Sequence, residues 1–400
     1  MFENKTILIG ISGGIAAYKM ASLVSALTKT NANVEVIMTK NACQFISPLT
    51  FETLTGNKCY VDTFDRTFKF DVEHISLAKK ADVFLIAPAT ANVIAKAACG
   101  IADDMLTTTF LAAKCPKLVA PAMNTAMYEN PVTRDNLAKL AHYGVTVIDP
   151  ASGRLACGDT GAGKMPEPED LFACLEKVIG REKDLAGKKV LVTAGATRES
   201  MDPVRFITNH SSGKMGFAIA KEAMMRGAEV TLVKAATTAK VPKFVNVVEV
   251  ASAQDMFEAV AERAAETDIV IKAAAVADYT PADYSDQKIK KKDGDLSIPL
   301  KRTQDILKWL GEHKREGQFL CGFSMETQNM VENSMAKLEK KNADMIVANN
   351  LKEAGSGFGT DTNAVTFITR AGAEPQPLVS KEEVARLIFD KILELSKNRD

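Results

Sequence analysis

The sequence predicts an α/β protein made of two doubly wound, Rossmann-like domains. Short apolar strands rich in β-branched residues alternate with helical stretches, the pattern of a parallel sheet covered on both faces. The pattern also runs twice, since TILIGISGG is echoed by VLVTAGATR and ADVFLIAPATAN by TDIVIKAAAVADY. A chain of 400 residues exceeds one typical core. We expect domains over 1–182 and 187–400, with the boundary in the charged stretch REKDLAG.

The predicted elements follow this order along each half. In the first half a helix should run from Ile15 to about Lys29, and strands should lie at Thr6–Ile11, Val34–Met38, Asp82–Ala87, Leu118–Ala120 and Val145–Ile148. In the second half the predicted helices are Met215–Arg226 and Met330–Lys341, and the strands are Lys188–Thr193, Glu229–Val233, Asp268–Ala273, Phe319–Gly322 and Met345–Ala348. Ligands of such sheets bind where the strands end.

Composition excludes several classes of protein. Lys+Arg and Asp+Glu both number 50, and this balance argues against a nucleic-acid-binding protein. The N-terminal stretch lacks a signal-peptide arrangement and no apolar run reaches membrane-spanning length, so we expect a cytoplasmic protein that does not enter a membrane. Seven scattered cysteines without a CxxC pair argue against a disulfide framework or a structural zinc site.

Two turns of the first half suit an anionic ligand. In GISGGIAAYK, small residues between a strand and a helix let backbone amides approach a phosphate, although a purely structural tight turn is an equal reading. APATAN ends the third predicted strand with small and hydroxyl residues. Its alternative reading is a helix-capping turn.

Three side chains of the first half are candidates for chemistry. Asn124, in PAMNTAM, could present an amide to a carboxylate, although a turn role is the commoner one. His74 could act as an acid or base, although single histidines are usually structural. Cys157 lies in ACGDTGAGKM, which predicts a flexible loop, and it should be more accessible than the core-type Cys99 and Cys174.

Taken together and in order, HISLA, APATAN, PAMN and the cysteine loop resemble the homo-oligomeric flavin-containing cysteine decarboxylases over residues 5–175. The resemblance implies a flavodoxin-like domain in which His74 is a base or substrate orienter, Asn124 holds the substrate carboxylate and Cys157 donates a proton from a flap. Lys164 stands where many relatives carry Arg. The residues implied to bind FMN are Gly10, Ser12, Gly13, Gly14, Thr39, Ala87, Thr90 and Asn92.

The second half carries three patterns of its own. SSGKMG before a helix offers amides, hydroxyls and Lys214 to an anion, although a capped helix start is the default reading. Asp278 in AAAVADY could read the amino group of a base or could cap a helix. KIKKKDGD crowds lysines into a stretch that composition alone predicts as a solvated loop.

The stretch TAGATRESMDPVRFITNHSSGKMGFAIA resembles phosphopantothenate–cysteine ligases almost position for position. The resemblance implies that Asn209 stabilises an acyl-nucleotide intermediate, that Lys288 belongs to a mobile lysine clamp and that Asp278 lies near cytosine. Gln304 replaces a family proline, which puts the local backbone contact in doubt. The implied nucleotide-binding residues are Gly195, Ser211, Ser212, Gly213, Lys214, Lys272, Ala273, Ala274, Asp278, Lys288, Gln304, Asp305, Ile306, Leu307, Phe323, Lys337 and Lys341.

The two resemblances together imply a bifunctional phosphopantothenoylcysteine decarboxylase and phosphopantothenate–cysteine ligase of coenzyme A biosynthesis. The ligase would join 4′-phosphopantothenate to cysteine with CTP and Mg²⁺, whose ligands the sequence does not assign, and the decarboxylase would convert phosphopantothenoylcysteine to 4′-phosphopantetheine. The family suggests trimeric decarboxylase assemblies joined to ligase dimers. A two-domain NAD(P) oxidoreductase is disfavoured because GxGxxG with a downstream acid is missing. A regulatory flavin-binding protein of the same fold remains an alternative.

Overall fold

Residues 2–64, 72–154, 158–237, 239–290, 296–326, 328–350, 357 and 359–397 are described by a computed structural model. They group into two units, Met1–Arg181 and Glu182–Asp400. Each unit is an α/β layer structure with a largely parallel central sheet, so the predicted pair of doubly wound domains is confirmed. No helix in the described parts of the chain is long and apolar enough to cross a membrane.

The first unit contains a six-stranded parallel sheet in the order β3-β2-β1-β4-β5-β6, with an antiparallel ribbon β7–β8 beside it. Its strands are β1 (Thr6–Ile11), β2 (Asn33–Met38), β3 (Cys59–Tyr60), β4 (Val83–Ala89), β5 (Lys117–Pro121), β6 (Thr146–Val147), β7 (Ala151–Arg154) and β8 (Thr160–Lys164). Its helices are α1 (Met20–Thr28), α2 (Pro48–Thr55), α3 (Glu73–Lys80), α4 (Ala91–Cys99), α5 (Met105–Ala112), α6 (Thr125–Glu129), α7 (Pro131–His142) and α8 (Pro168–Ile179).

The second unit repeats this strand order and extends it. Its eight-stranded sheet has the order β13-β12-β9-β14-β17-β18-β20-β21, in which β20 and β21 are antiparallel to their neighbours. Its strands are β9 (Lys189–Ala194), β10 (Arg198–Ser200), β11 (Phe206–Thr208), β12 (Glu229–Lys234), β13 (Asn246–Glu249), β14 (Ile269–Lys272), β15 (Tyr279–Pro281), β16 (Leu300–Arg302), β17 (Phe319–Glu326), β18 (Met345–Asn350), β19 (Thr362–Asn363), β20 (Val365–Thr369), β21 (Gly372–Pro375) and β22 (Val379–Ser380). Its helices are α9 (Lys214–Met225), α10 (Ala253–Ala264), α11 (Ile306–Glu312), α12 (Met330–Lys340) and α13 (Lys381–Lys397).

The central strands are apolar throughout because both faces of each sheet are covered. In β1, Ile7 and Ile9 pack into the cluster that contains α1 and α8, whereas Leu8 packs into the cluster on the opposite face. In β9, Val192 and Leu191 divide in the same way between two clusters. Alternate side chains of one strand thus supply both cores, as parallel sheets in α/β proteins require.

Local sequence accounts for most predicted boundaries, and the differences have simple causes. The predicted helix from Ile15 begins as a 3₁₀ turn, Ile15–Lys19, after the extended Gly14, and α1 follows. The peptide between Ala87 and Pro88 in β4 is cis. The predicted flexible loop around Cys157 is wrong for its last part, because Thr160–Lys164 forms β8 and pairs with β7.

Candidate active sites

Glycines at the end of β1 and in the turn that follows it pack closely against other residues of the first unit. A Cβ on Gly13 would lie 2.5 Å from the Cβ of Asn41, and one on Gly10 would lie 2.4 Å from Leu106 Cδ1. Gly14 has more room, with Thr90 Cγ2 at 3.8 Å. Gly10 is therefore needed for packing inside the sheet, whereas Gly13 lets the backbone of the turn approach the strand-end crevice.

Ser12 joins two turns that the sequence places far apart. Its buried hydroxyl donates to Pro88 O at 2.7 Å and accepts from the Thr90 amide at 3.0 Å. The Thr90 hydroxyl in turn accepts from Val93 N and caps α4. Both the hydroxyl and the backbone N–H of Ser12 are thus engaged within the protein, since the N–H also donates to Pro88 O at 3.3 Å.

Two cavities of 640 and 610 Å³ open at the carboxyl ends of β1, β2, β4 and β5. Both are lined by Gly13, Thr90, Ala91 and Met127. The first, here called the Met123 cavity, also contains Gly14, Met123 and Asn124; the second, the Asn41 cavity, also contains Thr39, Asn41 and Asn92. The predicted residues Gly13, Gly14, Thr39, Thr90, Asn92 and Asn124 are therefore brought together, while Gly10, Ser12 and the fully buried Ala87 line neither cavity.

Asn124 links the Met123 cavity to the β7–β8 ribbon. Its Oδ1 accepts from Ala126 N at 2.9 Å, which caps α6, and its Nδ2 donates to Asp159 Oδ2 at 2.8 Å. Gly163 lies against this turn, since its carbonyl accepts from Met123 N at 3.0 Å and a Cβ on it would come 2.4 Å from Met123 O. The amide of Asn124 therefore donates to a carboxylate of its own chain, and its contact with a substrate carboxylate stays a prediction.

Three cations at the Met123 cavity were not predicted to meet there. Lys19, Arg154 and Lys164 all line it. Lys19 and Lys164 share Glu167, at 2.7 and 3.0 Å, and the hydrogen bond from Lys19 is the main reason that the pKa of Glu167 lies below its ordinary value. The sequence singles out only Lys164 as an anion contact, because no sequence pattern links Lys19 with Arg154.

The remaining predicted groups of the first unit lie elsewhere. Cys157 is outside the described residues. His74 lies half-buried near the start of α3 and lines neither cavity. Cys174 is buried, and burial raises its pKa to about 11. Cys99 is exposed, so its predicted core position is wrong: it is the last residue of α4, just before Gly100, and faces outward.

In the second unit, the turn after β9 and the start of α9 meet through glycine contacts. Gly195 and Gly213 both have left-handed backbone, and a Cβ on Gly213 would lie 3.2 Å from Gly195. A Cβ on Gly216 would lie 2.6 Å from the Cβ of Ala194, so α9 packs directly on the end of β9. The half-buried Ser211 and Ser212 lie beside these glycines. This geometry suits an anion at the N terminus of α9.

Two predicted polar side chains are bonded to nearby backbone. The Asn209 amide donates to Ala275 O at 3.3 Å, and Ala275 N donates to Gly195 O at 2.9 Å, so Asn209 lies at the glycine turn. Lys214 donates to Gly359 O at 3.0 Å and to Asp361 Oδ1 at 2.7 Å. The predicted anion-binding ammonium of Lys214 is therefore paired with a carboxylate of this chain.

Three predicted lysines cluster at the carboxyl ends of β14 and β17. Lys341 forms an ion pair with Asp305, and Lys337 donates to Phe323 O at 3.0 Å. Lys272 is half-buried, and burial, followed by the charge of Lys337, lowers its pKa to about 8. Burial also lowers the pKa of Lys337. The mutual charge effects of these lysines, of which only Lys341 has a carboxylate ion-pair partner among the described residues, would favour a bound anion.

The other predicted nucleotide residues surround this lysine cluster with unequal exposure. Asp278, Gln304 and Asp305 are exposed, whereas Ala274, Ile306 and Leu307 are buried. Burial opposes ionisation of Asp305, but the hydrogen bond from Lys341 lowers its pKa. Leu307 packs over Gly322 in the core, so the side chains of Ile306 and Leu307 are structural and only their backbone could contact a ligand. Ala273 follows β14 directly.

Lys288 lies exposed in the segment between β15 and β16. Among the residues that the structure covers, no group of three or more His, Cys, Asp or Glu side chains could hold a metal ion. A magnesium ion usually binds through one or two carboxylates together with substrate phosphates. The lysine cluster with Asp278 and Asp305 would suit a triphosphate that carries such an ion.

The described residues form two α/β units, each with polar groups at the carboxyl ends of its sheet, and comparison with known proteins identifies the family of each unit. Residues 1–180 match the "Flavoprotein" family, and residues 185–395 match "DNA/pantothenate metabolism flavoprotein C-terminal domain". The coenzyme A biosynthesis bifunctional protein CoaBC of Bacillus subtilis (strain 168) is 48% identical over 401 residues, covering 99% of this chain and 98% of the relative. The chain belongs to the CoaBC family of bifunctional coenzyme A biosynthesis proteins.

Two further similarities were found. A protein named cysteine/cysteine sulfinic acid decarboxylase, from an unknown prokaryotic organism, is 46% identical over 358 residues, covering 88% of this chain and 99% of the relative. The crystal structure of the C-terminal domain of a CoaBC protein is 47% identical, with a TM-score of 0.46, and covers 54% of this chain and 98% of that one.

Proposed function

We propose that the protein catalyses two consecutive steps of coenzyme A biosynthesis. The second unit, within 187–400, would join 4′-phosphopantothenate to cysteine with CTP, and the first, within 1–182, would decarboxylate the resulting phosphopantothenoylcysteine to 4′-phosphopantetheine. The supporting observation is that each unit gathers polar groups at the carboxyl ends of its sheet, in a chain that matches bifunctional relatives from end to end. A regulatory protein without catalysis has no comparable support.

The ligase reaction has two chemical steps. The carboxylate of 4′-phosphopantothenate attacks the α-phosphate of CTP and pyrophosphate leaves; the amine of cysteine then displaces CMP and forms the amide. Lys272, Lys337 and Lys341 would hold the triphosphate, and Lys288 would bring a further positive charge to the transferring group. Asn209, beside the glycine turn, would hydrogen-bond the acyl-cytidylate.

Residues near the base and phosphates complete this proposal. The backbone amides at the start of α9, and the hydroxyls of Ser211 and Ser212 just before it, would contact phosphate oxygens. Lys214 would exchange Asp361 for a phosphate. Asp278 would accept from the amino group of cytosine, while the preference for CTP over ATP follows from the family resemblance alone, and Mg²⁺ would enter bound to the triphosphate.

The first unit fits FMN as its cofactor. Gly13, which leaves no room for a Cβ, would admit the phosphate to the turn, and Thr39, Thr90 and Asn92 would donate hydrogen bonds in the Asn41 cavity. A bound flavin would supply a reversible two-electron oxidation of the thiol-bearing carbon, and that oxidised carbon can accept the electrons left when CO2 departs. Asn124 would orient the substrate carboxylate with the amide that now donates to Asp159.

Proton transfer would come from Cys157, which is not among the described residues, and from His74, which lines neither cavity. Cys157 would protonate the carbon from which CO2 has left, and His74 would act as base or substrate orienter. His74 would reach a cavity of a neighbouring subunit, in keeping with the trimeric decarboxylase assembly and ligase dimers that the resemblance implies. We also propose a cytoplasmic location, where the nucleotide and phosphorylated substrates are available.

The testing experiment is anaerobic turnover with 4′-phosphopantothenate, cysteine, CTP and Mg²⁺, in which pyrophosphate and CO2 are followed together. The Cys157→Ser variant should still release pyrophosphate but fail to form 4′-phosphopantetheine. No pyrophosphate with CTP or ATP would reject the ligase. No CO2 from supplied phosphopantothenoylcysteine would reject the decarboxylase, and CO2 from free cysteine or cysteine sulfinate without CTP would point to the simpler decarboxylase named among the relatives.

A further inference from the structure

A hairpin of the second unit carries a buried carboxylate. Strands β10 and β11 are joined by the tip 201–205, in which Asp202 is 2% exposed. Its Oδ1 accepts from Val204 N at 2.8 Å and Arg205 N at 2.7 Å, and its Oδ2 accepts from Arg205 Nε at 3.0 Å and Nη2 at 2.6 Å. These contacts fix the shape of the tip.

The same carboxylate reaches a segment 87 residues further along the chain. Oδ2 of Asp202 also accepts from Ile289 N at 3.1 Å, and Arg205 Nη2 donates to Ile289 O at 2.6 Å. At the other end of this segment, Ser285 N donates to Met201 O at 3.1 Å. The five residues 285–289 are therefore bonded to the hairpin tip at both ends.

Lys288 is the residue directly before the bonded Ile289. Both backbone polar groups of Ile289 are engaged, so the main chain that carries the Lys288 side chain has a defined position while its ammonium stays exposed. A lysine side chain loses catalytic effect when the backbone that carries it moves, because a displacement of about 1 Å at a reacting group can cost on the order of a hundredfold in rate.

We propose that Asp202 is a positioning residue for the ligase reaction, which holds the Lys288 segment on the β10–β11 hairpin through Ile289 and Arg205. The inference rests on the role of Lys288 given under Proposed function. Asp202 touches neither the reacting atoms nor the lysine cluster in this arrangement; it acts through the backbone next to Lys288.

The anchor should keep its charge at every pH at which the enzyme works. Burial opposes ionisation of Asp202, but the hydrogen bonds from Arg205 and from the amides of Val204 and Ile289 hold its pKa well below its usual range. Attachment of the segment through Asp202 should therefore not depend on pH in this range.

The test compares Asp202→Asn with Glu199→Gln in the full-length protein. Asp202→Asn keeps an oxygen for the backbone amides of Val204 and Arg205 but turns an NH2 towards the Arg205 guanidinium and the Ile289 N–H. Glu199 is a matched control, since it lies in the same hairpin, is 2% exposed and accepts from Ala253 N at 2.9 Å, away from the 285–289 segment. Pyrophosphate release, the KM for CTP and the rate of tryptic cleavage after Lys288 are measured for both.

We expect Asp202→Asn to lower kcat for pyrophosphate release about tenfold or more and to speed cleavage after Lys288 by a similar factor, with the KM for CTP within about twofold. Glu199→Gln should change neither rate. In a Lys288→Ala background, Asp202→Asn should cause no further loss of kcat. CO2 release from supplied phosphopantothenoylcysteine should stay unchanged in every variant.

A second variant removes the contact from the other side. Ile289→Pro deletes the N–H that Asp202 accepts and leaves the hairpin intact, so it should reproduce the loss of kcat even where Asp202→Asn folds poorly. Cleavage after Lys288 is not used for this variant, because trypsin does not cut a Lys–Pro bond. If Asp202→Asn and Ile289→Pro match Glu199→Gln while Lys288→Ala is inactive, the positioning role is overturned and the proposed function stands. If Lys288→Ala releases pyrophosphate at the wild-type rate, both roles fail, even if cleavage still reports the attachment.

Discussion

Lys272 should make CTP binding depend on pH in a range where few other groups titrate. Its pKa in the free protein is lowered to about 8, first by burial and then by the charge of Lys337. A triphosphate binds the protonated form, and by doing so it raises the pKa of the ammonium again. Raising the pH through 8 therefore removes the charge that the ligand needs, and CTP should bind more weakly.

The magnitude follows from the titration itself. With a pKa of about 8, the protonated fraction of Lys272 falls about tenfold between pH 7 and pH 9. The dissociation constant for CTP should therefore rise about tenfold over this interval, or about 1.4 kcal/mol in binding free energy. The phosphates do not contribute, because their last ionisation lies near pH 6 and is complete in this range.

Isothermal titration calorimetry with CTP and Mg²⁺ measures this effect in two ways. The dissociation constant is followed from pH 7 to pH 9, and titrations at pH 8 in buffers of different ionisation enthalpy give the uptake of about half a proton per CTP bound. Lys272→Arg is the matched control, since a guanidinium keeps its charge over the whole range. It should bind CTP with little dependence on pH.

One result would refute this reasoning. If the wild-type dissociation constant is constant from pH 7 to pH 9 and no proton is taken up at pH 8, Lys272 does not contact the triphosphate. If Lys272→Arg shows the same pH dependence as the wild type, another group titrates. The Lys337→Gln variant tests the direction of the shift. Without the charge of Lys337 the pKa of Lys272 should rise, so the pH at which CTP binding weakens should be higher than in the wild type.

Three further predictions concern stability. The free energy of unfolding should gain a contribution from Lys272 as the pH rises from about 8 towards 10.5, because the unfolded chain binds more protons there than the folded protein does. Urea titrations of wild type and Lys272→Ile at pH 7 and pH 10 test this. Equal changes in the two proteins would contradict it. Gly13→Ala should lower the free energy of unfolding by about 1–3 kcal/mol and reduce the flavin absorbance near 450 nm per chain. Gly14→Ala, whose Cβ would make only an ordinary contact with Thr90, should lower it by less than about 0.5 kcal/mol. Equal losses would show that the turn is not tightly packed at Gly13. Arg226→Leu, which removes the ion pair with Asp184 and leaves Asp390 with Arg386 alone, should cost about 1–3 kcal/mol in urea unfolding. A change under about 0.5 kcal/mol would mean that these pairs contribute little.

Strand positions could be predicted because burial on both faces leaves a direct mark on the sequence. β1 was predicted at its observed bounds, since all six of its residues are buried and a turn of small residues follows. The β7–β8 ribbon left no such mark. The glycines of ACGDTGAGKM have the composition of a flexible loop. The position of Met123 O, 2.4 Å from a Cβ on Gly163, shows that they instead let β8 pack closely on the turn before α6.

Site residues could be predicted where a motif is continuous and not where the fold assembles it. Thr90 and Asn124 each follow a strand in a short motif, and both line the Met123 cavity. Lys19 and Arg154 meet there only because the turn after β1 and the β7–β8 ribbon are neighbours in space. Asp202 and Ile289 likewise have no pattern in common, and their contact exists only in the folded unit.

The internal repeat explains why the two units can share a fold and differ in chemistry. Asp82 and Asp268 hold equivalent places, since each accepts from the first amide of the neighbouring central strand, Thr6 at 2.7 Å and Lys189 at 2.8 Å. Four residues further along, the first unit has the fully buried Ile86 and the second has Lys272.

Because the backbone frame at this position accepts an isoleucine in the first unit, Lys272→Ile should fold with unchanged or higher stability. It should bind CTP roughly ten- to a hundredfold more weakly, since a charged contact contributes about 1.5–3 kcal/mol. Urea unfolding and calorimetry on one preparation separate the two effects. A variant that loses stability and nucleotide affinity together would mean that Lys272 supports the fold of the second unit, and that the correspondence with Ile86 is one of sequence only.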